Sequence, residues 1–415
     1  MVPRAAIDIS IAVEQIRPLL DDVRARGAEA VVAVTIARDG VDPQPLKVGA
    51  DELAAALESL DPKLRAAIQT SIDRVRAVSE ATLPTEVTVE LAEGAKVHQR
   101  WVPVDSVGLY VPGGKAVYPS SVIMNVVPAQ VAGVPRLAVA TPAQKDFGGR
   151  PHPTVLATAA MLGVQDVYCM GGPAAIAAFA YGLPQVDLEP VNLVTGPGNI
   201  YVAAAKRALR GTIGIDSEAG TTEILVLADD SADARLIAYD LVSQAEHDEA
   251  AASVLVTDSA ALADAVIAAL GEIAGATSHA ARVAIALAGQ QSAIVLVDDL
   301  DAAVRFANHY ATEHLELHTA NNAAVLSTIT NAGAVFVGKY SPVSLGDYMA
   351  GSNHVLPTGQ QAKFGAGLGV HSFLRAQQVI DYDRDALSAI AAQVRDFAES
   401  ENLPAHGQAI TARFE

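Results

Sequence analysis

The apolar run Val107-Gly108-Leu109-Tyr110-Val111 stops abruptly at Pro112-Gly113-Gly114. A run of this length that is bounded by proline and glycine predicts a buried strand followed by a tight turn. Downstream of it, apolar runs of strand length alternate with helical patterns. This alternation is typical of parallel sheets that carry helices on their faces, so the sequence predicts an α/β fold.

The first alternating series extends as far as Arg210. Its predicted strands are 107–111, 136–141, 166–170 and 191–195, and its predicted helices are 153–163, 174–181 and 200–210. Glycines follow three of the strands, at Gly113, Gly171 and Gly196. Because parallel sheets place ligands at the edge where their strands end, these glycines predict a binding edge.

A second alternating series follows. Its predicted strands are 223–228, 253–257, 293–297 and 334–337, and its predicted helices are 232–246, 260–270 and 300–310. We therefore predict two Rossmann-like lobes with parallel-rich sheets, joined near Tyr110 and near Thr222. The first lobe comprises residues 1–108 and 223–370, and the second comprises residues 109–222.

The ends of the chain are expected to be less regular. Residues 11–78 have apolar residues at helical spacing, with Asp61-Pro62 as a cap and first-turn proline, and we expect these helices to pack against the first lobe. Residues 86–101 alternate and predict a hairpin or edge strands. Residues 371–415 are predicted to form a helical and then extended tail. A single lobe could hardly bury the polar segment 401–406 of this tail. The segment therefore suggests an arm that reaches a partner.

Composition excludes several classes of protein. The chain has 28 basic and 47 acidic residues, which argues against binding to nucleic acid. No apolar run approaches the length of a membrane span, and the N-terminus lacks the order of a secretory signal. A single cysteine, Cys169, excludes an internal disulfide framework and a cysteine-based zinc cluster. We expect a cytoplasmic protein.

The segment from Gly346 to Thr358 places Asp347 and His354 between glycines. It contains too many glycines for a helix and too many polar residues for a buried strand. We therefore predict a shaped loop that presents these two side chains to a ligand.

Gln244 and His247 end a predicted helix in the motif Gln244-Ala245-Glu246-His247. Residues three apart share a helix face, so both side chains can point at one ligand. Imidazole and oxygen donors without thiolates suit zinc or a similar divalent ion. A solvated helix end is the alternative, and on spacing alone it is favoured.

Glu313 and His314 lie at a predicted helix-to-strand junction. A carboxylate that orients water beside an imidazole that titrates near neutral pH is a sensible acid/base pair. The alternative is a histidine at a helix C-terminus that interacts with the helix dipole, and it is equally favoured.

The glycine motifs and the cysteine do not specify a ligand by themselves. Val111 to Lys115 and Thr195 to Asn199 could admit a phosphate to backbone amides, yet neither is a Walker A motif and no G-x-G-x-x-G fingerprint exists. On spacing alone, tight turns between strand and helix are the favoured explanation. Cys169, in a predicted buried strand, is interpreted as a packing residue rather than a nucleophile.

An ordered set of motifs, each weak alone, is specific when taken together. They are Gly108-Leu-Tyr-Val-Pro-Gly-Gly114, Gly196-Pro-Gly-Asn-Ile-Tyr-Val202, Ala204-Ala-Lys-Arg207, Gln244-Ala-Glu-His247, Glu313-His-Leu-Glu316, Ser344-Leu-Gly-Asp-Tyr348, Gly351-Ser-Asn-His-Val-Leu-Pro-Thr358 and Leu403-Pro-Ala-His406. In this order they resemble the histidinol dehydrogenase family along essentially the whole chain.

The resemblance implies an activity and an assembly. The family oxidises L-histidinol to L-histidine in two NAD-dependent steps through an aldehyde, carries one zinc ion per subunit, and works as a homodimer whose tail completes the neighbour's site. The first lobe would then hold most zinc-binding and catalytic residues, and the second lobe would bind NAD.

The resemblance also implies roles for individual residues. The implied zinc ligands are Gln244, His247, Asp347 and, from the other subunit, His406, and the implied acid/base pair is Glu313 and His314. The implied substrate contacts are Thr222, His354 and Glu401, together with Gln244, His247, His314, Asp347 and His406, and the implied NAD contacts are Tyr110 and Asn199.

Three positions depart from the family pattern. Ala174 stands in Gly171-Gly-Pro-Ala-Ala175 where the family often has a glutamine that touches NAD, so one cofactor contact is absent or replaced. Thr222 replaces a common serine and keeps the hydroxyl group. Thr312 replaces a small residue or proline before Glu313.

Two other functions are compatible with parts of the sequence. One is a paralogous zinc- and NAD-dependent dehydrogenase that acts on another small polyol or amino alcohol; the presence of His354 and Glu401 argues against it. The other is a non-catalytic regulator that binds a metal or a nucleotide, which would not need Glu313 and His314.

Overall fold

The computed structural model describes residues 2–4, 9–113, 116–218 and 220–415. The chain divides into two compact units: one contains the residues up to Thr82 together with Val104–Phe373, and the other contains Leu83–Pro103 and Leu374–Glu415. Among the described helices, none is both long enough and apolar enough to cross a lipid bilayer.

Helices and strands alternate through most of the chain. The strands are β1 Val87–Ala92, β2 Ala95–Pro103, β3 Ser106–Tyr110, β4 Arg136–Thr141, β5 Asp166–Cys169, β6 Leu193–Thr195, β7 Gly214–Ile215, β8 Glu223–Ala228, β9 Ala252–Thr257, β10 Ala293–Leu296, β11 His314–His318, β12 Ala334–Val337 and β13 Leu374–Tyr382. The helices are α1 Ile9–Arg26, α2 Ala28–Asp39, α3 Ala50–Ser59, α4 Pro62–Ala81, α5 Pro119–Val131, α6 Pro153–Met161, α7 Gly172–Tyr181, α8 Ile200–Leu209, α9 Ala234–Ala245, α10 Ala260–Ile273, α11 Ala280–Ala288, α12 Leu300–Tyr310, α13 Asn322–Leu326, α14 Val343–Tyr348, α15 Arg384–Ser400 and α16 Pro404–Thr411.

The first unit is built on two parallel sheets that share one topology. Sheet I has the strand order β5-β4-β3-β6-β7, and sheet II has the order β10-β9-β8-β11-β12. In both sheets the strand that comes first in sequence lies beside the fourth, so the direction of winding reverses there. The predicted α/β fold with parallel sheets is confirmed, and such reversal points are where these folds bind ligands.

Several predicted elements have the bounds that the sequence indicated. β4, β8, α12 and β12 match the prediction residue for residue. α4 begins as predicted: Pro62 is its first residue, and the Asp61 side chain accepts hydrogen bonds from the N–H groups of Lys63 and Leu64 at 2.9 and 3.0 Å.

The N-terminal helices do not pack where we expected them. α1 and α2 lie against α7 and α8, α3 lies against α6, and α4 lies against α5, so they cover sheet I rather than sheet II. The reason is the composition of α7: every residue from Ala174 to Ala180 is buried, so this helix needs an apolar cover on more than one side. α4 also contacts the lobe formed by 223–370, since the Ser71 hydroxyl donates to the Tyr348 carbonyl at 2.6 Å and Arg74 donates to the Met349 carbonyl at 3.1 Å. The prediction of packing against that lobe is therefore wrong for α1 to α3 only.

The second unit is an antiparallel sheet followed by two helices. β1 pairs with β2 and β2 with β13, which confirms the predicted hairpin. The predicted order of the tail is wrong. The strand β13 comes first and the helices α15 and α16 follow, because residues 374–382 pair with β2 along its whole length.

Candidate active site

The candidate acid/base pair lies at the amino ends of two neighbouring strands of sheet II. β8 and β11 are parallel, with His314 beside Ile224, so Thr222 and Glu223 at the start of β8 lie next to Glu313 and His314 at the start of β11. The predicted helix-to-strand junction at Glu313-His314 is confirmed. The neighbours β8 and β11 are the strands at which the winding of sheet II reverses. The acid/base pair lies at the amino edge of the sheet there, whereas α/β sheets usually bind ligands at the carboxyl edge.

Glu313 is a buried carboxyl group with two hydrogen-bond donors. Its Oε2 accepts from the Thr222 hydroxyl at 2.6 Å and from the N–H of Glu223 at 3.0 Å, and the residue is only 6% exposed. Burial raises the pKa of Glu313 to about 8, against the lowering effect of these hydrogen bonds and of His247. A carboxyl group with a pKa near neutral can both donate and accept a proton under physiological conditions.

His314 is held in one tautomer. Its Nδ1 lies 3.1 Å from the carbonyl oxygen of Glu223, and a carbonyl can only accept, so Nδ1 carries the hydrogen and Nε2 keeps its lone pair. Burial lowers the pKa of His314, and the carboxylate of Asp347 opposes that shift. The ring is therefore a neutral base near pH 7.

Gln244, in the last turn of α9, belongs to the same hydrogen-bonded chain. Its Nε2 donates to the Thr222 hydroxyl at 2.6 Å. The other end of the amide, Oε1, is buried and has no hydrogen-bond partner among the described residues. An unpaired buried acceptor is costly, so this oxygen is expected to face a ligand.

The helix α9 ends at Ala245, so His247 lies beyond it. The expectation that His247 shares a helix face with Gln244 is therefore wrong. Its charge nonetheless influences the pKa values of Glu313 and His354, so it lies within electrostatic range of both.

Asp347 and His354 lie in the same region. Asp347 is in the short helix α14, so the prediction of a loop is wrong for its first residues and holds after Tyr348. His354 donates from Nδ1 to the Asp347 carbonyl at 3.0 Å and meets the Ser121 hydroxyl at Nε2, 3.3 Å away. Burial lowers the pKa of His354, against the charge of Asp347.

Tyr110 and Asn199 belong to the carboxyl edge of sheet I. Tyr110 ends β3, and its hydroxyl oxygen accepts from the N–H of Gly172 at 3.0 Å, which leaves the hydroxyl proton available for donation. The Oδ1 of Asn199 caps α8 by accepting from Tyr201 and Val202, so only its amide NH₂ is left for a ligand.

The glycine turn after β6 is fixed by a buried ion pair. Lys206 donates to the Gly196 carbonyl at 2.5 Å and to Asp216 Oδ1 at 2.6 Å, while Asp216 Oδ2 accepts from the Gly196 N–H at 2.8 Å. Gly196 has a φ of 113°, and a Cβ there would meet the carbonyl oxygen of Tyr110 at 2.0 Å. Only glycine can therefore bring this turn so close to β3.

Glu401 and His406 lie in the second unit. Glu401 is the C-cap of α15, and His406 is in the first turn of α16. Both are exposed.

Sequence reasoning did not single out Glu223, Asp240, Glu316 or His318. Glu223 touches both acid/base residues through its backbone, and its buried carboxylate pairs with Arg4 at 2.7 Å. Potential ligand atoms of Asp240, Glu316 and His318 all lie within 4.8 Å of one another. A signal was available: His314-Leu-Glu-Leu-His318 alternates strictly, although all five residues of β11 are buried, so its polar residues share one interior face.

The donor set around Gln244 fits a zinc ion. The region offers an unpaired amide oxygen on Gln244, an imidazole on His247 and a carboxylate on Asp347, and these are the donor types that zinc accepts. The cluster of Asp240, Glu316 and His318 contains similar atoms, but hydrogen bonds already occupy both oxygens of Glu316.

A family model described as histidinol dehydrogenase matches residues 2–414. The chain belongs to the histidinol dehydrogenase family. Enzymes of this family are oxidoreductases that act on an alcohol and an aldehyde with NAD, and they bind zinc. The resemblance inferred from the motifs is thereby confirmed.

Individual histidinol dehydrogenases are similar over nearly their whole length. The enzyme of Leifsonia xyli subsp. xyli is 57% identical over 415 residues, which is 100% of this chain and 95% of that protein. The enzyme of Thermobifida fusca is 57% identical over 99% of this chain and 94% of its own. The crystal structure of histidinol dehydrogenase from Elizabethkingia anophelis superposes with a TM-score of 0.92 at 30% identity and covers 99% of this chain and 93% of its own.

Proposed function

We propose that this chain oxidises L-histidinol to L-histidine through L-histidinaldehyde, with two NAD molecules reduced per histidine, as the last steps of histidine biosynthesis. The observation that carries the proposal is the arrangement around Glu313. A buried carboxyl group and a neutral imidazole with a fixed tautomer adjoin an unpaired Gln244 oxygen, within electrostatic range of His247 and Asp347.

Zinc is proposed to bind Gln244, His247 and Asp347, together with His406 of the partner subunit. The Gln244 oxygen supports this assignment because its amide NH₂ group is committed to Thr222, which aims Oε1 in a fixed direction. Two oxygen and two nitrogen donors suit zinc in a catalytic site. When bound, zinc orients and polarises the substrate and NAD accepts the hydride.

The proton transfers are assigned to His314 and Glu313. The unprotonated Nε2 of His314 takes the proton of the substrate hydroxyl, and the Glu223 carbonyl stabilises the ring through Nδ1–H as it becomes charged. Glu313, whose pKa burial raises to about 8, takes a proton in its ionised form from the water that hydrates the aldehyde. His314 therefore acts in the protonation state that its environment favours, whereas Glu313 must first lose the proton that burial favours.

Substrate contacts are proposed at Thr222, His354 and Glu401, besides the zinc ligands and His314. The Thr222 hydroxyl is central to this region because it links Gln244 to Glu313. Glu401 would be supplied with His406 by the partner subunit.

NAD is proposed to bind at the carboxyl edge of sheet I, with contacts to Tyr110 and Asn199. In this assignment residues 109–222 bind the nucleotide, and the lobe containing 223–370 provides the zinc and acid/base residues. The Gly196 turn supports the proposal because its hydrogen bonds to Asp216 and Lys206 hold the segment that leads to Asn199 close to the end of β3 at Tyr110.

The chain is proposed to work as a cytoplasmic homodimer whose active sites are shared between subunits. The second unit supports this because its outer surface is unusually apolar. On β1, Val87, Val89 and Leu91 are 50%, 49% and 62% exposed, and Ile380 and Phe397 are 73% and 70% exposed. Exposed apolar residues on a sheet face and a helix of one small unit are typical of a surface that a partner covers.

The proposed function is tested by adding L-histidinol and NAD to the zinc-loaded protein and measuring NADH and histidine together. We expect two NADH per histidine, loss of activity after chelation and recovery with zinc. Absence of NADH from histidinol, with turnover of another amino alcohol or diol, would reject the proposed substrate.

A further inference from the structure

Glu316 lies in the middle of β11, completely buried. Its Oε1 accepts a hydrogen bond from the backbone N–H of Val343 at 2.9 Å, and its Oε2 is 3.3 Å from Nε2 of His318. A buried carboxylate is tolerated only where its oxygens are paired in this way. The side chain is therefore committed to groups inside the protein.

Asp240 approaches the same carboxylate from α9. Its carboxyl group hydrogen-bonds to Glu316, and burial followed by the charge of Glu316 raises the pKa of Asp240 to about 8. Because Asp240 holds its proton more tightly than an ordinary aspartic acid, it can donate a hydrogen bond to the Glu316 carboxylate. The contact ties α9 to β11.

The three elements that meet at Glu316 are those that carry the candidate active site. β11 begins with His314, α9 carries Gln244 one turn after Asp240, and α14 carries Asp347 one turn after Val343. Among the described residues, the hydrogen bonds of Glu316 go to Val343, His318 and Asp240 and not to a proposed ligand. Its hydrogen bonds fix the start of α14 and the last part of α9 relative to one strand.

We propose that Glu316 is a positioning residue of the metal site. By binding the Val343 N–H and the Asp240 carboxyl group, Glu316 holds Asp347 and Gln244 at the spacing that zinc requires. The inference rests on the proposed function, since it takes Gln244 and Asp347 as ligands. It adds a role for a residue in the interior of the strand, separate from binding and catalysis.

The hydrogen bond to Val343 can be removed without touching Glu316. Val343→Pro deletes the N–H at the first position of a helix, where proline is favoured, and Pro342 before it has an extended ψ of 158° that a following proline tolerates. Val343→Ala is the matched control because it loses side-chain packing yet keeps the N–H. We expect zinc affinity, measured by chelator competition, to fall about 10- to 100-fold in Val343→Pro relative to Val343→Ala.

A second pair of variants tests the positioning role of Glu316 if Val343→Pro fails to fold. Glu316→Gln keeps an oxygen that can accept from Val343 and an NH₂ group that can donate to Asp240, whereas Glu316→Met fills similar space with no strong acceptor. We expect near-normal zinc affinity for the glutamine variant and a loss like that of Val343→Pro for the methionine variant. The absorption spectrum of the cobalt-substituted protein should change in the methionine variant alone, which a loss of stability would not cause.

Asp347→Ala separates this inference from the proposed function. If Asp347→Ala binds zinc as tightly as the unaltered protein, the ligand assignment fails. If Asp347→Ala loses zinc while Val343→Pro and Glu316→Met bind it normally with an unchanged cobalt spectrum, the ligand assignment stands and the positioning role of Glu316 is overturned.

Discussion

The carbonyl oxygen of Glu223 lies 3.1 Å from Nδ1 of His314 and accepts its hydrogen. The N–H of the same residue donates to Glu313 at 3.0 Å. One peptide segment at the start of β8 therefore fixes the imidazole tautomer and orients the carboxyl group. This backbone arrangement does not depend on the identity of the Glu223 side chain.

His314→Asn tests the base. The asparagine amide can replace the Nδ1–H donor to Glu223 but offers nothing at the position of Nε2, so turnover should fall by about 10²–10⁴-fold while zinc content stays unchanged. The matched control is His309→Asn, at an exposed position of α12. Turnover of the His314 variant within a fewfold of the unaltered enzyme would remove His314 from the proton transfer.

Glu313→Gln should change how stability depends on pH. Burial raises the pKa of Glu313 from an ordinary 4.5 to about 8, so between these values the folded chain keeps a proton that the unfolded chain loses. The contribution of this proton to the free energy of unfolding is complete below pH 4.5 and is lost as pH rises towards 8. In chelator-treated protein, the free energy of unfolding of Glu313→Gln relative to the unaltered chain should therefore increase with pH in this window, by at most about 1.4 kcal/mol per unit. The exposed Glu58→Gln should show no such trend, and a decrease for the Glu313 variant would contradict the assignment.

Cys169→Ala should remain active. The thiol is completely buried, donates to the Gly149 carbonyl at 3.2 Å, and has a pKa that burial raises to about 12, so it is not a nucleophile near neutral pH. We expect activity within about twofold of the unaltered enzyme and a loss of stability of about 1–2 kcal/mol from the unpaired carbonyl. A folded but inactive variant, measured with histidinol and with the aldehyde, would revive a covalent mechanism.

Arg4→Met should destabilise the protein. Arg4 pairs with the Glu223 carboxylate at 2.7 Å and also donates to the Tyr310 carbonyl, and Glu223 is 3% exposed. Removing one partner of such a pair leaves a buried charge, so the free energy of unfolding should fall by up to about 3 kcal/mol in denaturant titrations. Adding Glu223→Gln should recover part of that loss. The exposed Arg305→Met serves as the control, and equal effects of the two arginine variants would show that the pair contributes nothing.

Mixed dimers test the shared site. Subunits with His406→Ala and subunits with His247→Ala should each be inactive alone, but a heterodimer has one site with every proposed ligand. We expect recovery towards a quarter of normal activity after random exchange, since half of the dimers are mixed and each has one complete site. No recovery with subunit exchange verified by mass spectrometry would show that His406 acts within its own subunit.

The sequence predicted individual elements of the fold better than it predicted their packing. β4, β8, α12 and β12 were predicted to the residue because each combines a clear apolar period with a sharp boundary. The placement of α1 to α3 on sheet I was missed, because the spacing of apolar residues shows that a helix has a buried face but not which partner buries it. The order of strand and helices in the tail was missed for a similar reason: β13 depends on pairing with β2, which is distant in sequence.

The residues of the candidate site that were predicted from the sequence are those that lie within the recognised motifs or beside them. The structure brings Thr222, Gln244, Glu313 and His314 into one connected region, and the charges of His247 and Asp347 act on it. Glu316 could not be assigned a role from sequence, since its importance lies in a backbone N–H that any residue at position 343 except proline would offer. The roles of Glu401 and His406 remain predictions.

Asp216 follows β7 of sheet I, and Thr222 precedes β8 of sheet II. Asp216 accepts hydrogen bonds from the Gly196 turn and from Lys206, and Thr222 donates to Glu313. Any displacement of Thr222 from the start of β8 would act directly on the Thr222–Glu313 hydrogen bond. Because that bond lowers the pKa of Glu313, stretching it would leave the carboxyl group protonated over a wider pH range. The position of the Thr222 hydroxyl therefore contributes to the acidity of Glu313.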